Sequence, residues 1–403
     1  MTDKKDKNFT GSDEGISRRE FAKRSIQTGA AAGALASGLT SGQAAAGNIQ
    51  FTNEEFEYVI VGSGAGGGPL AANLAKAGFS VLLLEAGEDD PSDDIHNIPA
   101  FHAFSSEDPK LSWHFFVKHY EDQARAQRDS KYVPSQGGIL YPRASTIGGC
   151  TTHHAMITAY PHNNDFNRIA EITGDASWGA SRMRRYFERL ERCEHVPRPF
   201  FPWFNPSRHG FNGWLPTNTA DLSLLSEDPV VFDIVLGAIF ENGLGDAIGE
   251  ILAGNLGLDI NNWRVARGEE GAFITPTATN SNRQRQGVRE LLLSTRERYP
   301  NNLTIRTNAL ATRVLFNEKA AVGVEYVKGK HLYKADGLNS SADPTGIEQV
   351  RASREVILAG GAFNSPQLLK LSGVGPAAEL EAHNIPVVST FLVSEKTYKI
   401  VMK

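Results

Sequence analysis

The residues best suited to chemistry stand in one short stretch, Gly62-Ser63-Gly64-Ala65-Gly66-Gly67, in which Gly62, Gly64 and Gly67 form G-x-G-x-x-G. Glycines at this spacing suit the cradling of a pyrophosphate. The first permits a tight turn, the second lets the backbone approach the phosphates, and the third lets a helix pack closely on a strand. The flanking residues supply what such a cradle needs. Tyr58–Val61 is a short apolar, β-branched run typical of a buried parallel strand, and Pro69–Gly78, rich in Ala and Leu, predicts a helix. The N-terminus of that helix offers unpaired N–H groups and the positive end of its dipole. Ser80–Leu84 predicts a second strand that ends at Glu85, with Ala86 beside it, where a ribose-binding carboxylate falls in such a unit. The glycine pattern alone leaves a phosphate-free βαβ turn open as the alternative.

A chain of 403 residues can hold two domains and a sizeable core. Its net charge of −5 gives no reason to expect nucleic acid or another polyanion as partner. The two cysteines, Cys150 and Cys193, stand in unrelated contexts, so neither a disulfide framework nor a metal-ligand spacing is read and no metal is expected. Beyond the N-terminus no apolar run is long enough to span a bilayer, which predicts a soluble globular protein with no membrane span in the mature chain. Residues 1–16 are polar and without periodicity. Ser17-Arg18-Arg19-Glu20-Phe21-Ala22-Lys23 is a twin-arginine sequence, followed by a mildly apolar stretch from Ile26 to Leu39 and by Ala44-Ala45-Ala46 before Gly47. Residues 1–47 therefore read as a Tat export signal, set apart from the fold, and predict a periplasmic or extracellular location. Tat exports proteins already folded, often with a cofactor bound, which agrees with a tight dinucleotide site.

Further along, Leu111–Val117 predicts a strand or loop with aromatic content. Residues 181–193 predict an amphipathic structural helix, with Met183, Tyr186, Phe187 and Leu190 on its apolar face and Arg and Glu on the other. Residues 195–265 carry many Pro, Trp and Gly and little regular pattern. Thr304–Thr307, Arg313–Phe316 and Val322–Tyr326 are short β-type runs, and His331–Arg351 reads as a polar excursion outside the core. Val356–Ala359 is a buried strand that delivers Gly360 and Gly361 towards a cofactor. Ser365 and Pro366 then predict a helix start, with Ser as N-cap and Pro at the first helical position.

Three separated stretches carry a resemblance. They are Gly148-Gly149-Cys150-Thr151-Thr152-His153-His154-Ala155-Met156, the strands Asn302–Arg306, Thr312–Val314 and Ala321–Val324, and the long run from Gly361-Ala362-Phe363-Asn364-Ser365-Pro366 to Gly373-Val374-Gly375-Pro376. Together, over about residues 54–388, they resemble the glucose–methanol–choline (GMC) oxidoreductases. The resemblance implies an α/β fold: a Rossmann-like FAD-binding domain from residues 54–160 and 266–388, and an α+β substrate-binding region over 161–265. It implies FAD as cofactor, contacted by Gly62, Ser63, Gly64, Gly67, Glu85, Ala86, Gly148, Gly149, Thr152, His153, His154, Met156, Val314 and Gly360. The Gly148–Met156 loop is expected against the flavin ring. In members similar to choline oxidase and pyranose oxidase, a His at the place of His153 is bonded covalently to the flavin 8α-methyl. Such a bond needs a neutral imidazole nitrogen aimed at the ring edge; the alternative is a His that only hydrogen-bonds nearby. His154 stands where many members carry Asn, and could donate to the flavin or fill space. Cys150 replaces the usual Ser and reads as a small buried thiol. Ala144 and Ser145 depart from the common Gly-Lys. The activity implied is oxidation of a primary or secondary alcohol by hydride transfer to FAD, with a quinone or dioxygen as final acceptor and a dehydrogenase favoured by export. An NAD-dependent reductase of another kind is the alternative reading of the first motif.

Asn384–Val388 is expected as the strand that follows the second signature. The family then continues with a turn resembling D-x-P-G-V-G-x-N-L-x-D, whereas residues 389–403 do not. Codons for Val-Asp-Leu-Pro-Gly-Val-Gly-Lys-Asn-Leu-Gln-Asp-Arg-Tyr-Glu, read one base later, give the tail from Ser389 to Met402. A change of reading frame at Val388 or Ser389 is therefore expected, with the family's catalytic His region missing and catalytic residues unassigned. An inactive FAD-binding remnant is the alternative function.

Overall fold

Short apolar runs separated by glycine-rich turns can bury themselves only by pairing side by side, and the chain does so. A computed structural model describes residues 51–390 apart from 53, 90–93, 202, 221–226, 231–232, 235–236, 238–258, 269–272 and 340–345. The export signal expected over 1–47 and most of the tail expected over 389–403 lie outside the described residues. Two compact units are present, one formed by Gln43–Ile157 with Ala278–Lys403 and the other containing Thr158–Thr277.

The first unit begins with β1 (Glu55–Val61), α1 (Gly67–Lys76) and β2 (Val81–Leu84), then β3 (Ser112–Val117), β4 (Tyr132–Val133) and β5 (Gly138–Ala144). In the second unit come α2 (Asn163–Thr173), α3 (Ala180–Leu190), β6 (Glu191–Cys193) and β7 (Leu215–Thr217). The first unit resumes with α4 (Val288–Arg298), β8 (Leu303–Arg306), β9 (Ala309–Asn317), β10 (Ala320–Lys328), β11 (Ile347–Leu358), α5 (Gly361–Leu371) and α6 (Ala377–Ala382).

Six strands make the main sheet in the order β8-β2-β1-β11-β10-β9. Neighbours from β8 to β11 run parallel, while β10 pairs antiparallel with both β11 and β9. All four residues of β2 are buried, which is why its sequence is an unbroken apolar run. The register Tyr58↔Val81 through Val61↔Leu84 ends both strands level, so Gly62 and Glu85 leave the sheet side by side. β2 lies on one side of β1 and β11 on the other, so the chain leaves β1 where the strand order reverses, the place at which open α/β sheets bind ligands. Helix α1 buries Gly67, Gly68, Ala71, Ala72 and Ala75. These small residues let α4 approach closely: a Cβ on Gly68 would stand 2.1 Å from Val288 Cγ1.

Several expectations are corrected. β11 starts at Ile347, so residues 347–351 belong to the sheet rather than to a polar excursion. Beside antiparallel β10 only alternate side chains need burial, and Val350 and Ala352 provide it between polar neighbours. Helix α5 starts at Gly361 with Gly360 as N-cap, and Pro366 lies inside it rather than at its first turn. Gly361, at φ +91°, turns the chain straight off β11, and Pro366 then forgoes one backbone bond. Residues 384–388 form no strand. Val388 N–H donates to Gly373 O at 2.8 Å, and only one isolated bridge, Val374 with Ser389, follows because no neighbouring strand runs alongside among the described residues.

β3, β5 and β4 form a smaller antiparallel sheet. Phe115 of β3 stacks on Phe363 of α5 with ring centroids 4.5 Å apart, which fastens this sheet to the second signature.

The second unit contains the parallel pair β6–β7 and the helices α2 and α3. On α3 the expected faces are partly exchanged: Arg184 is 0% exposed and Tyr186 is 55% exposed. Arg184 donates from Nε to Arg208 O at 2.9 Å, and from Nη2 to Ser207 O at 3.0 Å and Asn261 O at 2.5 Å. Its guanidinium also lies 4.8 Å from the Tyr160 ring centroid. Irregular segments leave carbonyls without strand partners, and one guanidinium can meet several of them. Among the described residues no helix is long and apolar enough to cross a membrane.

Candidate functional site

The turn after β1 is shaped by its glycines. Gly62 has φ +97°, and a Cβ there would lie 2.4 Å from Ala359 O and 2.8 Å from Gly360 Cα. A Cβ on Gly67 would lie 2.0 Å from Gly62 O. Any side chain at either place would push β1, α1 and the β11–α5 turn apart. Gly360 is therefore brought against Gly62, as expected for a cofactor-facing turn. The N-terminus of α1 opens at the same point, and its first N–H groups lack partners within the helix.

Ser63 joins this turn to the two other parts of the site. It is fully buried, and its Oγ donates to Glu85 Oε2 at 2.5 Å while accepting from Gly148 N–H at 3.0 Å. Ser63 N–H also donates to Glu85 Oε2, and Gly87 N–H to Glu85 Oε1, both at 3.0 Å. Burial pushes the Glu85 carboxyl up, against the hydrogen bonds from Ser63 and Gly87 that favour its ionised form. Glu85 thus sits at the end of β2, where the ribose carboxylate is expected, with lone pairs left for a further donor. Ala86 follows it, and Ala309 N–H donates to Glu85 O at 2.9 Å.

The loop from Gly148 to Met156 packs directly on the glycine turn. Gly149, at φ +55°, faces Gly64: a Cβ on Gly149 would stand 2.7 Å from Gly64 Cα. Thr152 holds the loop by donating from Oγ1 to Ile147 O at 2.7 Å. Thr151 Oγ1 accepts from Val288 N–H at 3.3 Å, at the start of α4. His153 is buried, and among the described residues neither of its ring nitrogens has a hydrogen-bond partner. Burial, followed by the nearby charge of Arg285, holds its pKa down to about 4, so the imidazole is neutral at pH 7. His154 is held down to about 4 by the same causes. Its Nδ1 accepts from Met156 N–H at 2.7 Å, so only Nε2 could reach a ligand. Met156 itself is fully buried at φ +59°.

The structure gathers Gly62, Ser63, Gly64, Gly67, Glu85, Ala86, Gly148, Gly149 and Gly360 around one turn, with Thr152 to Met156 in the adjoining loop. It does not bring Val314 there. Val314 lies buried in β9 and donates its N–H to Ser372 Oγ at 2.8 Å. It stands five residues beyond Ala309, about 16 Å along a strand. The start of β9, rather than its middle, adjoins the Glu85–Gly87 segment, where Asn308 N–H donates to Gly87 O at 2.9 Å.

Reading the sequence missed Arg285. This buried arginine donates from Nε to His96 O and from Nη1 to His154 O, both at 2.7 Å, so it fixes the back of the loop. Its Nη2 has no partner among the described residues. The only signal in the sequence was a basic residue two places before Gly287 and the α4 helix, a position that usually reads as a solvated charge.

These residues match known proteins. A family model described as GMC oxidoreductase matches residues 45–394. The oxygen-dependent choline dehydrogenase of Pseudomonas putida (strain GB-1) is 30% identical over 338 residues, covering 83% of this chain and 51% of that protein. An alcohol dehydrogenase (acceptor) of Pseudomonas putida is 31% identical over 337 residues, covering 83% and 51%. The chain spans about half the length of the curated relatives it matches. Among solved structures, pyridoxine 4-oxidase from Mesorbium loti superposes with a TM-score of 0.60 at 24% identity, covering 83% of this chain and 55% of that one. Formate oxidase from Aspergillus oryzae RIB40 superposes with a TM-score of 0.59 at 23% identity, covering 83% and 50%. These two show a shared fold.

Proposed function

The chain belongs to the GMC oxidoreductase family, and on that premise we propose that it binds FAD and oxidises an alcohol to an aldehyde or ketone. The observation that carries the reading is the cradle at the strand-order reversal, where the glycine turn, Glu85 and the His153 loop meet. The residues fit such a group. A Cβ would fill the turn at Gly62 and Gly67, and His153 and Arg285 hold buried polar atoms without partners among the described residues. When bound, FAD supplies the acceptor for the hydride that leaves the carbinol carbon. The amides at the α1 N-terminus would face its pyrophosphate, and Glu85 its ribose. The Gly148–Met156 loop would line the flavin ring and exclude water from it.

His153 is proposed as the covalent anchor. Its neutral ring keeps a lone pair for a bond to the 8α-carbon. His153 would hold the flavin through a bond in place of one methyl C–H, with the proton lost and two electrons left for an external acceptor. A quinone or dioxygen would serve as that acceptor. Arg18-Arg19 and Ala44-Ala45-Ala46 support export by the Tat route.

Absorbance of the purified chain after gel filtration tests the reading. A flavin spectrum is expected, with colour retained in the acid precipitate of wild type and lost from that of His153→Ala; anaerobic bleaching by choline or another primary alcohol would refute the expectation that the catalytic His region is missing. Folded protein that is colourless and takes up no added FAD overturns the proposal.

A further inference from the structure

The second unit contains a buried side-chain cluster that the flavin reading does not use. Glu191–Cys193 is a short strand, so Glu191 and Cys193 share a face, and the chain bends at His195 just beyond it. Arg192 and Glu194 pair on the outer side, Nε to Oε1 at 3.0 Å. Glu191, Cys193 and His195 turn inward, where His209 and Asp259 join them.

The hydrogen bonds around the cluster determine which atoms are left over. His195 Nδ1 is 3.0 Å from Thr217 O, and a carbonyl only accepts, so Nδ1 carries a proton; Nε2, 3.3 Å from Asp259 Oδ2, then either carries a second proton or offers its lone pair to a cation. His209 Nδ1 donates in the same way to the Glu191 carboxylate at 3.1 Å. Glu191 is itself held by Gly210 N–H at 2.8 Å and Thr217 Oγ1 at 2.9 Å. Asp259 Oδ1 accepts from Asn261 N–H at 2.7 Å, which turns Oδ2 inward. Oδ2 then lies 3.0 Å from His209 Nε2 and 3.3 Å from His195 Nε2. His209 Nε2 is nevertheless without a hydrogen-bond partner among the described residues. Cys193 Sγ is 3.8 Å from His195 Nε2, and one donor atom from each of Cys193, His195 and His209 can be chosen so that all lie within 4.8 Å of one another.

Lone pairs that face one another repel unless a cation stands between them. Protons would require two imidazolium rings with centroids 5.6 Å apart in a buried site, whereas one divalent ion meets all four donors. We propose that Cys193 Sγ, His195 Nε2, His209 Nε2 and Asp259 Oδ2 bind one zinc ion. Zinc bond lengths of about 2.3 Å to S and about 2.0–2.2 Å to N and O put tetrahedral donors about 3.3–3.6 Å apart, against 3.0 Å for Asp259 with His209, 3.3 Å for Asp259 with His195 and 3.8 Å for Cys193 with His195. A carboxylate as close as the imidazoles makes a closed, four-donor set, which favours zinc over the three-donor copper sites with a weak axial ligand. Thr217 O and Glu191 are the outer partners that fix each ring and its tautomer. The ion would tie β6, the His209 turn and the Asp259 segment together as a structural site. Its binding displaces the thiol proton and any proton on either Nε2.

Metal analysis of the full chain tests this independently of flavin. Purified without chelator, or stripped and given one equivalent of zinc, wild type is expected to hold about one zinc per chain after desalting. Zinc-edge X-ray absorption of that sample should show one Zn–S distance and three N/O neighbours. Cys193→Ser should lose at least tenfold in zinc affinity, whereas Cys150→Ser should retain full zinc. Wild type that takes up no zinc under either condition, zinc without a sulfur neighbour, or stoichiometric copper in its place overturns the proposal. Because the spectrum is read on wild type, a misfolded variant does not decide the outcome.

Discussion

Replacing Ser63 with Ala removes one oxygen from the centre of the site and tests whether the glycine turn and the later loop act as one structure. Ser63 Oγ makes two short buried hydrogen bonds, donating to Glu85 Oε2 at 2.5 Å and accepting from Gly148 N–H at 3.0 Å, beside a longer contact of 3.5 Å to Thr146 O. The first is a hydrogen bond to a carboxylate, a class that contributes about 1.5–3 kcal/mol. The second loss leaves a buried N–H without an acceptor, which costs about 1–3 kcal/mol. The cavity is only a hydroxyl, so relaxation recovers part of the sum, and a net loss of about 3 kcal/mol is expected. Urea unfolding of the apo chain, followed by tryptophan fluorescence, should show the midpoint falling by about 1 M for a slope near 3 kcal/mol per M. The same measurement on Glu85→Gln and on the double variant should give a coupling energy of about 1 kcal/mol or more, because the two side chains share a bond. An unchanged midpoint for Ser63→Ala would refute the claim that this hydroxyl binds the two motifs together, and additive effects would refute its coupling to Glu85.

Other outcomes follow from the same geometry. Gly66→Ala should be neutral or stabilising by about 0.5 kcal/mol, since nothing among the described residues lies within 4 Å of its Cβ position. Gly67→Ala places a Cβ 2.0 Å from Gly62 O and should abolish flavin retention on gel filtration. His153 should make apo stability depend on pH. Its folded-state pKa, held down to about 4 mainly by burial and then by Arg285, lies below the unfolded value of 6.5, so the unfolded chain binds more protons between them. Stability therefore rises with pH from about 4 to 6.5, by at most about 3 kcal/mol from this group, and is fully present above 6.5. His153→Gln should flatten the dependence of Tm on pH in that window, leaving the similar contribution of His154. Arg184→Met strands the carbonyls of Ser207, Arg208 and Asn261 and should cost about 3 kcal/mol. Hydrogen exchange would report it as faster exchange among the amides around those three residues, with slow exchange retained in β1 and β2.

Much of the site could be read in the sequence because its chemistry is local. Tyr58 to Glu85 contains a strand, a glycine turn, a helix and a second strand, and consecutive residues of that kind can fold back only by parallel pairing. The His153 loop could be located by its pattern of glycines and hydroxyls, but the sequence could not show that Gly149 would lie on Gly64. That contact joins residues 85 positions apart, and the absence of two side chains leaves no pattern to detect. Arg285 was missed for a related reason. A buried cation looks like a surface one until the carbonyls of His96 and His154 converge on it.

The sequence by itself determined the βαβ unit, the family and most residues of the glycine turn, since these depend on interactions between near neighbours. The folded chain alone decided the inward turn of Arg184, the full length of β11, the distance of Val314 from the site, and the meeting of Cys193 and His195 with His209 and Asp259. Each of these depends on which distant backbone groups need a donor, an acceptor or a partner strand. Periodicity carries no record of that demand, because it arises only when separate segments pack against one another.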